Sequence, residues 1–545
     1  MVASSTDESR GIPSSYDPAG VDDVSLDATG NGGSGDPGKN ANRAQIRGSS
    51  LLLVGRVIGL GLDFATQVLI VRYLSKTEYG AFAVALSVVA IGTTICLLGL
   101  ERTVGRFAPI YHEKGDYGRM WGTLAVVIGT VVGMGFAVVL GAYAFQGLLG
   151  GFVDNGLALS ILLLMIVLAP IQALDSLLIS LFATFGSARS IFFRRYVVAP
   201  VLQLGIVAAL IARDSSVQTL ALGYVVAAAL GLVVYSFVLL RMLHMQGLIK
   251  ELRRETLRFP TREIFTFSVP LLTSDLAMVL RGSLTVVLIQ ILSTTTAVAE
   301  FRAVLPVAIQ NLFVATSFRF IFTPGAARHY ARGDRVALND LYWQTAAWIA
   351  ILAFPLFALC IGFPEPLSVL LFGEEYRSSG LILGILCLGY YVNGSMGFNS
   401  LTLRVFNRVR FLALTDLSTA ALNLVLAVVL IQRFGAIGAA VATSGTFILQ
   451  NFIYQYGLKT QTWVHGLDRR YVRPYASIII GAIVIVAISQ IFRPSFLIGI
   501  VVVGGVSLLV FAINRHSLQI VDTYPELGRF RVIRRIFGDP RRDDD

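Results

Sequence analysis

The chain has 545 residues, of which 55% are hydrophobic and 14% charged, with a net charge of +11 and a mean hydropathy of +0.72. A soluble protein carries about a quarter of its residues as charges, so this composition excludes a soluble globular chain and points to a polytopic helical membrane protein. A β-barrel would instead show roughly ten-residue segments of alternating hydrophobicity.

Residues 1–48 are rich in Ser, Gly, Asp, Pro and Asn and nearly devoid of large apolar side chains. Such a segment cannot bury enough surface to fold and reads as a disordered tail. Inside it, GSGDPGKN at 33–40 stops one residue short of a phosphate-binding loop, with Asn40 where Ser or Thr is required, and it has no preceding strand. The polar tail and the long apolar run after it also differ from a secretory signal peptide.

That first apolar run, LLLVGRVIGLGLDFATQVLIVRYL at 51–74, is long enough to cross a bilayer yet contains Arg56 and Asp63. Each charge near mid-membrane costs about 2.5–3.5 kcal/mol, while each Leu, Ile, Val or Phe returns only about 0.3–0.6. The segment therefore inserts with little to spare. Seven residues are two helical turns, so both charges share a face. That face is expected to look into protein or a watery cavity, either as a structural ion pair or as part of a transport path.

Apolar length predicts fourteen spans, at 50–73, 80–100, 119–145, 156–179, 195–212 and 218–241, then 264–292, 300–323, 341–363, 379–399, 410–432, 436–457, 473–492 and 496–513. With both termini in the cytoplasm, 35 of the 44 Lys and Arg fall on the cytoplasmic side and six in outer loops. Arg56, Arg281 and Arg302 are left within the membrane. One mistaken span would invert the pattern beyond it, so the bias supports the count and the orientation. It also explains the basic balance without nucleic acid as a partner.

The predicted organisation is a tail at 1–48, a six-helix lobe at 49–242, a cytoplasmic linker at 243–263 and a second six-helix lobe at 264–458. Two further helices follow at 459–513, then a basic cytoplasmic tail at 514–545. In the linker, Met245, Leu248, Ile249, Leu252 and Phe259 lie opposite Lys250, Arg253, Arg254 and Arg258, which predicts an amphipathic helix on the inner leaflet. At an offset of 218 residues Leu74-Ser75 meets Leu292-Ser293, and HEKGD at 112–116 meets YARGD at 330–334. Both matches fall at equivalent topological points, and Asp63 falls opposite Arg281. This is a parallel repeat, an arrangement that places a substrate site at the repeat interface.

Costly charges cluster again in the second half. Asp275 and Arg281 lie in span seven beside the helix-weakening Pro270 and Gly282, and Glu300 and Arg302 start span eight. Asp175 closes span four, and Asp416 reads as a cytoplasmic-end residue. The three cysteines, Cys96, Cys360 and Cys387, lie in apolar runs and the five histidines are scattered. Neither set has disulfide or metal-ligand spacing, so no cofactor is expected.

Three stretches carry a resemblance: RYLSKTEYGAFAVALSV at 72–88, LFGEEYRSSGLILGIL at 371–386, and RVRFLALTDLSTAALNLVLAVVLIQRFGAIGAAVATSGTF at 408–447. With these the chain resembles the polysaccharide-transporter, or oligosaccharide flippase, branch of the MOP superfamily over about residues 50–510. The third stretch has a small basic loop, then Asn423 in span eleven, a Phe-Gly turn and a small-residue opening to span twelve. The resemblance implies two six-helix lobes around a cleft lined by spans 1, 2, 7 and 8. It also implies movement of a polyprenyl- or dolichyl-(pyro)phosphate-linked oligosaccharide to the outer leaflet by alternating access.

Arginine suits a lipid-linked phosphate because it is always charged and binds bidentately. Arg56, Arg281 and Arg302 are therefore the expected phosphate ligands, and Gln67, Gln290, Gln310 and Asn311 the expected sugar contacts. Asp63, Asp275 and Glu300 are expected to balance the arginines or to couple transport to H⁺ or Na⁺. The expected setting is the cytoplasmic membrane, with a pathway link to glycosyltransferases. The rivals are a multidrug extruder of the same superfamily, which would want a more acidic cleft, and a membrane glycosyltransferase or polymerase. The latter would need more than the short outer loop at 364–378, and no catalytic motif is present, so an enzyme is not expected.

Overall fold

The computed structural model describes residues 37–152, 156–186, 196–254, 256–464 and 469–515. Most of the expected N-terminal tail, and nearly all of the basic C-terminal tail, lie outside these residues. The first half contains α1 (Pro37–Tyr73), α2 (Lys76–Leu97), α3 (Leu100–Glu113), α4 (Tyr117–Ala144), α5 (Gly156–Met165), α6 (Leu168–Phe185), α7 (Ala199–Ile211) and α8 (Val217–Met245). The short α9 (Leu248–Arg254) leads to the second half. That half has α10 (Thr261–Arg281), α11 (Ser283–Leu292), α12 (Thr295–Ile309), α13 (Phe313–Ala331), α14 (Arg335–Gly362) and α15 (Pro364–Phe372). It continues with α16 (Ser379–Ser395), α17 (Asn399–Val405), α18 (Val409–Gln461), α19 (Arg469–Phe492) and α20 (Phe496–Ile513).

Eleven helices among the described residues are long and apolar enough to cross a membrane. All fourteen expected spans are helical. The difference lies in α1, in the shorter apolar helix Tyr196–Ile211, and in α18, which counts once but doubles back. Gly435 makes that reversal, at φ 55° and ψ −132°. Beyond it the two arms meet in register: Thr446 Oγ1 donates to Asn423 Oδ1 (3.3 Å), and Tyr454 Oη donates to Asp416 Oδ1 (2.5 Å). Gly438 sits so close to the Leu430 carbonyl that a Cβ would lie 2.1 Å from it. The small residues of the third stretch thus let the two arms of the hairpin close on each other.

Several expected spans are interrupted. Leu98 and Gly99, both left-handed at φ 45° and 73°, separate α2 from α3 inside span two. A 3₁₀ turn at Gln310–Leu312 separates α12 from α13 inside span eight. Gly282 separates α10 from α11, as its position beside Arg281 led one to expect. At its other end α1 extends back to Pro37, into the segment read as tail.

The repeat is legible in the backbone. Gly115 and Gly333 are left-handed at φ 67° and 71°, and their N–H groups donate to the carbonyls of His112 and Tyr330, each at 3.0 Å. Asp116 and Asp334 then cap the next helix, each accepting a 3.0 Å bond from the N–H of Arg119 or Ala337. The same turn occurs twice, 218 residues apart, at the same end of equivalent helices.

The linker differs from a continuous surface helix. α8 runs to Met245, Gly247 turns the chain at φ 77°, and only α9 is helical. Leu248 is buried and its carbonyl accepts from Trp121 Nε1 (3.3 Å), while Met245 and Phe259 stay exposed. The segment is therefore pinned to the start of α4, where Arg258 N–H also bonds the Gly118 carbonyl (3.1 Å). The last two helices, α19 and α20, pack on α14.

Candidate functional site

The halves meet mainly where α2 crosses α11 and α12. At the end nearest Leu74 and Ser293 this seam is sealed. Arg72 Nε donates to the Leu371 carbonyl (2.8 Å) and its Nη2 to the Leu370 carbonyl, at the electronegative C-terminal end of α15. Lys76 Nζ pairs with Glu300 Oε1 (2.9 Å), which also accepts from Ser378 Oγ (2.7 Å), and the ammonium lies 5.4 Å from the Tyr376 ring centroid. Gly80 packs directly on Thr295, where a Cβ would come within 2.1 Å of the carbonyl oxygen.

At the opposite end α3 is stitched to α10. Arg102 Nη2 pairs with Asp275 Oδ1 (2.5 Å) and Tyr111 Oη donates to Glu263 Oε2 (2.9 Å). The other flank is different. Arg319 of α13 lies within electrostatic range of both Arg56 of α1 and Arg404 of α17. None of the three has a hydrogen bond or ion pair with an acidic group among the described residues. At 1.5 Å per residue Arg56 lies about 25 Å along α1 from its Tyr73 end. Arg319 thus lies among like charges, with no counter-charge to it among the described residues.

Nearer mid-membrane, Asp63, Gln67, Tyr79, Gln203, Tyr224 and Arg302 line a cavity of about 320 Å³. Gln67 Nε2 donates to Tyr79 Oη (3.3 Å) and to the Arg302 carbonyl (3.4 Å), which ties α1 to α12. In the second half Arg281 is enclosed. Its Nη1 donates to Gln450 Oε1 (2.7 Å), and its Nη2 to Thr419 Oγ1 (2.7 Å) and the Asp416 carbonyl (2.8 Å). The Asp416 carboxylate is 3.8 Å away and also accepts from Gln450 Nε2 (2.5 Å) and Tyr454 Oη.

The expected site residues therefore separate into groups. Asp63, Gln67 and Arg302 share a cavity, and Arg56 stands at the inner mouth. Asp275 is paired with Arg102 and Glu300 with Lys76, rather than with the intramembrane arginines. Gln290 and Asn311 are 4% and 1% exposed, each with an unpartnered carbonyl oxygen, and Gln310 is half-buried in the break between α12 and α13. Arg319 and Arg404 did not stand out in the sequence. The inside-positive count had absorbed them as cytoplasmic charges, and only the fold turns them toward Arg56.

Residues 46–321 match the sequence profile of the family described as "Polysaccharide biosynthesis protein". The chain belongs to that family. A probable low-salt glycan biosynthesis flippase, Agl15 of Haloferax volcanii, is 21% identical over 76% of this chain and 83% of that protein. An uncharacterized membrane protein of Methanocaldococcus jannaschii is 21% identical over 88% of this chain and 96% of its own length. Among solved structures, the lipid II flippase MurJ in an inward closed conformation superposes with a TM-score of 0.66 at 16% identity, covering 87% of this chain and 99% of MurJ. An inward-facing multidrug resistance MATE transporter of the MOP superfamily gives 0.60 at 12% identity, over 78% and 95%. These likenesses establish a MOP-type fold. The stretch matched to the polysaccharide biosynthesis family carries Arg56, Asp63, Arg281, Arg302 and Arg319, while Arg404 lies beyond it.

Proposed function

We propose that this family member is a flippase that carries a polyprenyl- or dolichyl-(pyro)phosphate-linked oligosaccharide from the cytoplasmic to the outer leaflet by alternating access. The observation that carries the reading is Arg319 within electrostatic range of Arg56 and Arg404, with no acidic partner for any of the three among the described residues; with a cytoplasmic N-terminus, Arg56 stands toward the inner leaflet. Like charges held together beside hydrocarbon are costly, and an anionic ligand relieves them. At an effective dielectric near 20, one phosphate charge about 4 Å from one guanidinium gains about 4 kcal/mol. A lipid phosphate in the inner headgroup layer lies next to that level, so it has only a short way to move into the mouth between α1 and α13.

Arg302, higher in the cleft, is the next phosphate station. Arg281 reaches a phosphate only by giving up its bonds to Gln450, Thr419 and Asp416, so it acts later or holds the second half together. Asp63, beside Arg302, is the candidate for charge balance or for coupling to H⁺ or Na⁺. Asp275 and Glu300 take part through the inner and outer ion pairs that must part as the halves rock. The membership in a polysaccharide biosynthesis family and the likeness to Agl15 support a glycan as cargo, supplied by glycosyltransferases at the inner face of the cytoplasmic membrane. A cation extruder finds less support, because the inner mouth is cationic. A polymerase or glycosyltransferase finds little, because the outer segment between α14 and α16 is only α15 and a short turn.

Arg56→Ala/Arg319→Ala, inserted at normal levels in a deletion strain, is expected to lower surface glycan at least tenfold relative to the wild-type gene. Full surface glycan from this variant would remove the phosphate role of the mouth.

A further inference from the structure

Below the mid-membrane cavity the first half contains a second one, of about 600 Å³, between α3 and α6. Glu101, Arg102 and Gly105 line one wall, and Ser176, Ser180 and Thr184 the other. The three hydroxyls recur every four residues, so they form a ladder on one helix face about 11 Å long at 5.4 Å per turn. Ser176 and Thr184 donate within α6, to the carbonyls of Gln172 and Ser180 (both 3.0 Å), which leaves their oxygens free to accept. Opposite, a Cβ on Gly105 would meet nothing within 4 Å, so the wedge between the helices is open there.

The ladder continues outward. Gln172, one turn above Ser176, lines a neighbouring cavity with Gln203 and Tyr224, and those two residues also line the Asp63 cavity. Cavities therefore follow one another along α6 toward the Asp63 cavity, the one between them lined mostly by apolar side chains. Hydroxyls, one carboxylate and one guanidinium around an open space suit a ligand rich in neutral hydroxyls, which can both donate to them and accept from them. A bare phosphate is better served by the three arginines of the mouth, and an apolar drug would find few large apolar side chains on this wall.

The geometry points to the α3–α6 cavity as the binding site for the sugar moiety of the cargo, held by Ser176, Ser180, Thr184, Glu101 and Arg102. This rests on the flippase reading and adds where the glycan is recognised. Arg102 also holds Asp275 of the other half (2.5 Å), so a sugar that draws on Arg102 loosens the inner ion pair. Glycan occupancy and the parting of α3 from α10 are thereby linked.

The test is a binding titration of the full chain in nanodiscs with two probes: a polyprenyl phosphate without sugar, and the same lipid carrying the host's own oligosaccharide. Wild-type protein is expected to bind both, the second at least tenfold more tightly. Gly105→Leu fills the wedge while replacing a helix glycine with a better helix former, and Ser176→Ala/Ser180→Ala is nearly isosteric. Each is expected to erase the tenfold glycan increment, keep the affinity for bare polyprenyl phosphate within twofold, and keep the wild-type unfolding temperature. A wild-type glycan increment in both variants overturns the inference, as does the lack of any increment in the wild type with phosphate binding intact. If the wild type binds neither probe, the flippase reading falls with it.

Discussion

At the residue scale, the same side chain does different work according to what the fold puts beside it. Arg56 and Arg281 look equivalent in sequence, each a lone cation in an apolar run, yet one faces two further arginines and the other is surrounded by acceptors. Removing Arg281 leaves the Asp416 carboxylate without its cation. We expect Arg281→Ala to destabilise the protein by about 2–3 kcal/mol. That falls short of the roughly 3–5 kcal/mol for breaking a fully buried pair, because the Asp416 side chain keeps 29% exposure. Adding Asp416→Asn should recover part of the loss, read as thermal unfolding in detergent. No recovery in the double variant would mean that Arg281 stabilises through contacts other than this pair. The partner choices of Asp275 and Glu300 were not legible in the sequence for a related reason. Arg102 and Lys76 sit near span ends, where basic residues are common, and only tertiary packing brings them to acids about 200 residues away.

At the element scale, helix spans were legible because each is a long apolar run, and the repeat because the Gly-Asp turn needs a left-handed glycine followed by a capping carboxylate in both halves. The breaks at Leu98-Gly99 and Gln310–Leu312 were not, since a single glycine and a polar Gln-Asn pair inside long apolar runs are also compatible with an unbroken helix. The hairpin of α18 offers a direct check. Gly435 holds a backbone conformation that a β-branched side chain does not adopt without strain, so Gly435→Val should cost about 1–3 kcal/mol and lower the unfolding temperature. Unchanged stability would argue against a tight reversal there. The outer seam makes a second prediction. Gly80→Leu pushes α2 away from Thr295, so in a cysteine-free background a Gln67→Cys probe should react several-fold faster with an impermeant maleimide added outside. An unchanged rate would mean that the contact at Gly80 does not gate the outer end.

At the scale of the whole molecule, the first and second halves meet along α2, α11 and α12, sealed at one end, with the proposed mouth of Arg56, Arg319 and Arg404 on another flank. The two-lobe plan was legible from charge bias and repeat. The mouth was not, because it needs residues from spans one, eight and ten whose sequence positions give no sign of proximity. The central claim is directional transfer of a lipid-linked glycan. Its most direct test is the leaflet distribution of lipid-linked oligosaccharide in spheroplasts, measured by protection from an added glycosidase after the gene is switched off. The account predicts that the protected, inner-leaflet pool rises several-fold while the accessible pool falls. An unchanged ratio of the two pools, with surface glycans intact, would contradict it.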